Sequence, residues 1–287
     1  MQQTMEVGVA DPTFVVQYRE EQIATFEQRY SQLRMACVQE HVMKGGSAVF
    51  QVSGSGSASA VTRGSNGLIP YQSTDNTQST CTLVEAHGTF ERTSFNIFAT
   101  QGDMKRQLQV EAVGTLNRDI DDRVIAQLDT ATQDTGAAAP ASLSGVQHAQ
   151  VILGNNDVDV AEEEMMWAII TPAYMGYLRQ LPEFASKDYV NIQPLMGPPR
   201  RIMRWAGFNW VTSTRLTGKG TSSEKCYFLH QHAMGHAANA TEMDVKVGYD
   251  EKQDSSWGRA TLYHNAKLLQ NSGIVQVLHD GSAFAAT

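Results

Sequence analysis

The stretch from Thr100 to Gly136, TQGDMKRQLQVEAVGTLNRDIDDRVIAQLDTATQDTG, places the tightest constraint on what this chain can fold into. Apolar residues recur every fourth position as Met104, Leu108, Ala112, Leu116, Ile120, Val124 and Leu128, and Val113 and Ile125 widen the stripe. This is one face of a helix of period 3.6. Thr100 followed by Asp103 reads as a capping-box-like start and Gly136 as a stop, so a helix is expected over about 103–133. At ~1.5 Å per residue the part from Asp103 to Ala131 would reach about 43 Å, and a helix that long needs something long to lie against. Its other faces carry Lys105, Arg106, Glu111, Arg118, Asp119, Asp121, Asp122 and Arg123, which are expected to meet solvent or a neighbouring molecule. Arg118 and Arg123 flanking the three aspartates predict a solvated ion-pair face rather than paired catalytic carboxylates.

The segments ahead of this helix do not look able to close on themselves. Residues 1–12 carry few structure signals and read as a tail. From Thr13 to about Gln39, Ile23, Phe26, Tyr30, Leu33 and Cys37 stand 3, 4, 3 and 4 apart, with Phe14 and Tyr18 on a nearby face. That seam is too short for a coiled coil and predicts an amphipathic arm docked on its own body or on a neighbour. Lys44-Gly45-Gly46 ends the arm, and residues 45–81 are rich in Gly, Ser and Thr. The β-prone pieces Ala48 to Val52 and Thr82 to Ala86 predict a long hairpin with a mobile end near Arg63 to Thr77. A lone two-stranded ribbon is marginal in water, so it would gain order by lying across another protein. A disordered loop on a monomer is the alternative.

Gly88 to Thr100 is β-prone and leads into the long helix, and TGAAAPASLSG follows it as a small-residue linker. Val146 to Leu153 predicts a short helix ending at Asn155-Asn156, and Met165 to Ile170 a buried strand. Thr171-Pro172 opens another helix whose apolar face holds Tyr174, Leu178 and Leu181. Leu195 to Pro199 is a turn-rich break, Phe208 to Val211 is β-prone, and Tyr227 to Ala240 reads as a strand entering a helix. Val245 to Tyr249, Arg259 to Leu262 and Ile274 to Leu278 are expected to return as strands beside the long helix.

Composition bounds the chemistry. With 22 Lys and Arg against 30 Asp and Glu, the net charge of −8 argues against a protein whose main task is neutralising phosphates. Cys37, Cys81 and Cys226 are scattered and form neither a disulfide framework nor a zinc knuckle. MQQTMEVGVADP has no basic region followed by an apolar run, and no apolar stretch of about 18 residues occurs, so the expectation is a soluble chain made in a reducing cytoplasm. His230, His232 and His236 lie within HQHAMGH, where a helix would put His232 and His236 on one face and a strand His230 and His232. No glutamate stands between them as in HExxH, so packing or interface histidines are expected over a metal site. Gly54-Ser55-Gly56 lacks a third glycine and a following helix, and Gly218-Lys219-Gly220-Thr221 reads as a turn. No GxSxG and no Walker-type loop occurs, so nothing assembles a nucleophile, base and oxyanion site, and no cofactor is expected.

Taken in order, an arm, a Gly/Ser-rich hairpin, a long amphipathic helix, an α/β segment and returning strands resemble the major capsid proteins of tailed bacteriophages with the Hong Kong 97-type fold. The resemblance rests most on LNRDIDDRVIAQL (Leu116 to Leu128), WAIITPAYMGYLRQLPEFASKDYV (Trp167 to Val190), GFNWVTSTRL (Gly207 to Leu216) and the alternating stretch from Ala260 to Leu278. It implies an α+β fold with residues 1–44 as N-terminal arm, 45–90 as extended E-loop, 91–140 with 256–287 as peripheral domain, and 141–255 as axial domain. The function it implies is a structural shell protein rather than an enzyme. Such a protein would form hexamers and pentamers of an icosahedral head around double-stranded DNA, in virions assembled in the host cytoplasm. Scaffolding and portal proteins, and a decoration protein where one is used, are the further partners it implies, with scaffolding, where used, expected as a separate chain. Phe26, Tyr30, Leu33, Arg63, Tyr71, Arg118, Asp122 and Arg123 are candidates for contacts between subunits. Some relatives link subunits through Lys–Asn bonds; Lys44 is the lysine near the E-loop, and no crosslink is expected from it. The rival readings are an encapsulin-like compartment, a metal-dependent hydrolase using the three histidines, and a tail or adhesion module.

Overall fold

A computed structural model describes residues 28–54, 59–99, 104–182, 202–241 and 243–284. In chain order the strands are β1 (Val38–Val42), β2 (Ser47–Gly54), β3 (Asp75–Thr82), β4 (Val84–Thr93), β5 (Met166–Ile170), β6 (Ile202–Trp205), β7 (Phe208–Thr212), β8 (Glu224–His230), β9 (Met234–Asn239), β10 (Asp244–Asp250), β11 (Ser255–Leu268) and β12 (Ile274–His279). The helices are α1 (Ser94–Ala99), α2 (Met104–Leu128), α3 (Leu143–Asn155) and α4 (Pro172–Leu178). Two five-stranded sheets result. One runs β1-β9-β11-β10 with β4 also paired to β11; the other runs β12-β8-β5-β7-β6. β2 and β3 form a separate two-stranded ribbon. Among the described residues, no helix is long and apolar enough to cross a membrane.

The stripe on α2 explains why one helix serves both sheets. Ala112, Leu116 and Ile120 pack against Ala260 and Leu262 of β11. Two turns on, Val124, Ile125 and Leu128 enter a second core with Leu33, Trp167, Tyr227, Leu229 and Ile274. Each large side chain so buried contributes about 1.5–3 kcal/mol, so the helix is held along its length by packing rather than by helix propensity. The backbones approach closely where β4 crosses the helix. A Cβ on Gly88 would lie 2.5 Å from the carbonyl oxygen of Ala112, so only glycine fits.

The helix ends at Leu128, before the expected 133, and its terminator comes from far along the chain. The side-chain amide of Gln276, on β12, donates to the carbonyls of Leu128, Asp129 and Ala131 at 3.2, 3.3 and 2.9 Å. Leu128, the last helical residue, also accepts from the Ala131 amide at 3.0 Å, and the other two carbonyls lie in the turn just beyond the helix. Asp129, next in sequence, accepts from Tyr227 Oη at 2.5 Å, Thr217 Oγ1 at 2.7 Å and Lys225 Nζ at 3.0 Å. Gly136, the expected stop, adopts a positive φ of 91° in the loop beyond.

Elsewhere the local signals translate directly. β5 is buried at all five positions. Thr171 caps α4 by accepting from the amide of Tyr174, with Pro172 in the first turn, and α3 is capped by Ser142. Tyr174, Leu178, Trp210, Phe208 and Phe228 fill the core beneath the second sheet.

Four expectations need correction. The arm seam does not continue as a helix to Cys37: a 3-10 turn at Arg34–Ala36 leads into β1, which pairs parallel to β9, and the earlier part of the seam lies outside the described residues. The far strand of the hairpin is Asp75–Thr82 rather than Thr82 to Ala86, because the chain leaves the ribbon at Leu83 and β4 joins β11. Tyr227 to Ala240 holds two strands around a 3-10 turn and no α-helix, since β9 is sandwiched between β1 and β11. Finally, β12 pairs with β8 in the second sheet and meets α2 at its C-terminal end, while β9 crosses into the first, so the sheets cut across the ranges 141–255 and 256–287. The turn-rich break at Leu195 to Pro199 lies outside the described residues.

Candidate functional site

The hairpin is the first surface to consider. Ala48, Phe50 and Cys81 anchor its root against Ala237. Phe50 lies flat on Gly235, where a Cβ would meet its ring at 2.9 Å. Beyond the root, every described residue from 59 to 78 is exposed. The exposed set includes Val61, Leu68, Ile69 and Tyr71, the last fully so. Arg63 holds the turn by donating to the Gly67 carbonyl at 3.1 Å. The ribbon's outer strand edges are unpaired by the sheets and its tip carries exposed apolar side chains, the features of a docking surface.

The second surface is where the chain before β1 meets α2. Asp121 has no exposure and is ringed by donors from one short segment. Ser31 Oγ donates to it at 2.6 Å and the Leu33 amide at 3.1 Å, the Gln32 amide reaches both oxygens at 3.2 and 3.1 Å, and the Gln28 side chain adds a further bond. Asn117 donates to the Arg29 carbonyl at 2.8 Å, and Arg118 to that of Gln28 at 3.3 Å. The expectation of a solvated aspartate face fails here: a carboxylate taken out of water must be met by donors, and the arm root supplies them.

The other two aspartates are also committed inside the chain. Asp119 accepts from Arg123 at 2.7 Å and meets His264 Nε2 at 3.0 Å. The His264 hydrogen bond leads in drawing its carboxyl down to about 2, against the opposing effect of burial and with help from Arg123. Next to His264, with ring centres 5.6 Å apart, His236 is buried with neither ring nitrogen hydrogen-bonded. Burial first, then the neighbouring His264, Arg34 and His41, push it down to about 3, so it is neutral at physiological pH. Asp122 forms a two-point pair with Arg215 at 2.7 and 2.5 Å.

A third polar cluster binds the second sheet to the chain's end. Glu224, fully buried, accepts from Thr171 Oγ1 at 2.5 Å and from the Gly220 amide at 2.6 Å. Its strand partner His279 stands 3.8 Å away and bonds Ala139 instead, at 3.1 Å. A Cβ on Gly281 would lie 2.4 Å from that carboxylate, so the chain passes close only because glycine is there.

The metal reading does not assemble. His230 ends β8, His232 lies in the following turn and His236 points into the first sheet's core beside His264, so the three do not converge. Among the described residues, no group of three or more His, Cys, Asp or Glu could hold a metal ion. Burial pushes the Cys37 and Cys226 thiols up to about 12, which leaves them unreactive.

The family model described as phage capsid protein matches residues 10–281. The chain belongs to the phage capsid protein family. Solved structures share its fold at low identity. A chain of Mycobacterium phage Che8 is 14% identical with a TM-score of 0.70, covering 93% of this chain and 98% of that one. A chain from the capsid of the native GTA particle is 12% identical at 0.69, covering 93% and 96%. One from the cyanophage P-SCSP1u capsid is 12% identical at 0.68, covering 93% of each. Among curated proteins, none matches. The fold is the Hong Kong 97-like capsid fold, and the protein is a structural capsid protein.

In this capsid protein the expected contact residues separate into two groups. Arg63 and Tyr71 lie on the outer hairpin, whereas Tyr30, Leu33 and Arg118 belong to the contact between the arm root and α2, where Leu33 donates to Asp121 and Arg118 to the Gln28 carbonyl. Leu33 corrects its assignment as a contact candidate, because it is fully buried in the capsid subunit's own core. Asp122 and Arg123 are engaged by Arg215 and Asp119 within the chain, and Phe26 lies outside the described residues. Sequence reasoning missed Asp121 as a buried group, and a signal existed. Val113, Asn117, Asp121 and Ile125 form one i, i+4 row on the flank of the apolar stripe, and both polar members of that row grip the arm root.

Proposed function

We propose that this capsid protein self-assembles into hexamers and pentamers that close an icosahedral head around double-stranded DNA, with the hairpin laid across a neighbouring subunit. The observation that carries this reading is the exposed ribbon from 59 to 78, rooted in the core at one end and bare at the other. Copies that complete one another's edges form repeated contacts, and many engaged together outlast any single one. A net charge of −8 fits a container that encloses DNA without recognising its sequence. Scaffolding and portal proteins, and a decoration protein where one is used, are the remaining partners of this reading, and assembly takes place in the host cytoplasm. The catalytic alternative would need all three histidines to converge; His230 and His232 lie side by side with ring centres 5.0 Å apart, but His236 packs against His264 instead.

Negative-stain microscopy of the expressed protein, with and without the scaffolding protein, tests this. Closed particles with five-fold and six-fold clusters are expected. A compact monomer at high concentration with scaffolding present would overturn it.

A further inference from the structure

Asp121 stands out among the buried polar groups because all the donors just described come from residues 28–33. A buried carboxylate left without them would be strongly destabilised, so the body is complete only when that segment is docked. The same segment is fixed along the helix at two more points, through the carbonyls of Gln28 and Arg29. It also passes Gly114, where a Cβ would come within 4.0 Å of the Arg29 Cα. The root therefore runs from Leu33 back along α2 towards Gly114.

We propose that Asp121 is an assembly latch: its carboxylate clamps residues 28–33 to the spine helix, and closure of the particle depends on that clamp. The latch divides the expected 1–44 arm in two. Residues 28–44 are held on the body, through the clamp and β1, and the dependence of closure on the clamp is the further step. This part rests on the assembly reading above; the clamp itself does not. The isosteric Asp121→Asn change removes the charge and turns one acceptor oxygen into a donor facing other donors.

The test uses the full chain as wild type, Asp121→Asn and the double variant Gln28→Ala/Ser31→Ala, whose helix sequence is untouched. Hydrogen exchange followed by mass spectrometry reads residues 28–36, with β5 and β8 as controls for the fold. Electron microscopy and sedimentation read the yield of closed particles. In Asp121→Asn the Gln32 and Leu33 amides should lose at least about tenfold in protection, as loss of charge-assisted hydrogen bonds requires, while the controls keep theirs. Closed particles should fall in parallel, with the double variant intermediate in both. Unchanged protection at Gln32 and Leu33 in both variants would overturn the clamp. Lost protection with closed particles at wild-type yield would overturn its role in assembly. Should Asp121→Asn fail to fold, the double variant alone decides, by the same two readouts. A wild-type chain that forms no particles would count against the assembly reading, and the exchange data would still decide the clamp.

Discussion

β5 and the β2–β3 ribbon are both strands of this chain, and they sit at opposite ends of one scale. β5 is paired on both edges, by β7 and β8, and buried at every position. The ribbon is paired only within itself, and past its root its side chains meet solvent. The difference lies in where each element finds its partners. β5 is closed by its own chain, and the ribbon is not. On the proposed reading, stability sits in the first kind of element and assembly in the second.

The largest effect should come from the closed region. Phe228 is fully buried and packs edge-on against Phe208 and Trp210, with ring centres 5.0 and 5.4 Å apart. Phe228→Ala should cost about 3–5 kcal/mol in chemical denaturation of the free subunit. If the cost were within about 0.5 kcal/mol, the second sheet would not be the stable body assumed here.

Acid should loosen the first sheet from its helix next. His236 binds a proton less readily folded, at about 3, than unfolded, near its ordinary value of 6.5. The unfolded chain therefore takes up more protons, and stability is present above about 6.5 and lost as pH falls towards 3. The slope from this one group is about 1.4 kcal/mol per pH unit in that window. Asp119, lowered to about 2, adds a second loss in the same direction, below its ordinary value of 3.8. Denaturation midpoints measured from pH 7 to 4 should fall for wild type, and His236→Leu should flatten the slope. An equally steep slope in the variant would remove His236 as the cause.

Gln276→Ala should cost about 1–3 kcal/mol, because it strips the donor from three carbonyls at the end of α2. Amides of the last turn, from Val124 to Leu128, should exchange faster while those near Ala112 do not. The smallest effects on stability belong to the surface. Asp122→Asn breaks a pair that is largely in water and should cost no more than about 1 kcal/mol. Tyr71→Ala should leave the free subunit's stability within about 0.5 kcal/mol of wild type and yet lower particle yield. That last contrast sharpens the comparison most, since it separates stability from assembly.

What was legible in the sequence was whatever local chemistry decides. The α2 stripe, the Thr171-Pro172 start of α4, the apolar run of β5 and the hairpin could all be read within a window of a few turns. What escaped was set by distant partners. The end of α2 depends on Gln276, almost 150 residues later, so Gly136 looked like the stop. Cys37 continued a 3-4-3-4 spacing, yet pairing with β9 turned the following residues into a strand. Asp121 looked like its neighbours Asp119 and Asp122 because composition cannot say which aspartate a returning segment will cover. Of the candidate contact residues, Arg63 and Tyr71 are exposed on the hairpin, whereas Leu33 lies in the subunit's own core, because an apolar seam reads alike whether it faces a neighbour or its own body.

Hydrogen exchange compared between isolated subunits and closed particles tests the central claim most directly. The account predicts that amides on the outer edges of β2 and β3 exchange quickly in the free subunit and become protected in the particle, while β5 and β8 are equally protected in both. Ribbon amides that exchange at the same rate in subunit and particle would contradict it.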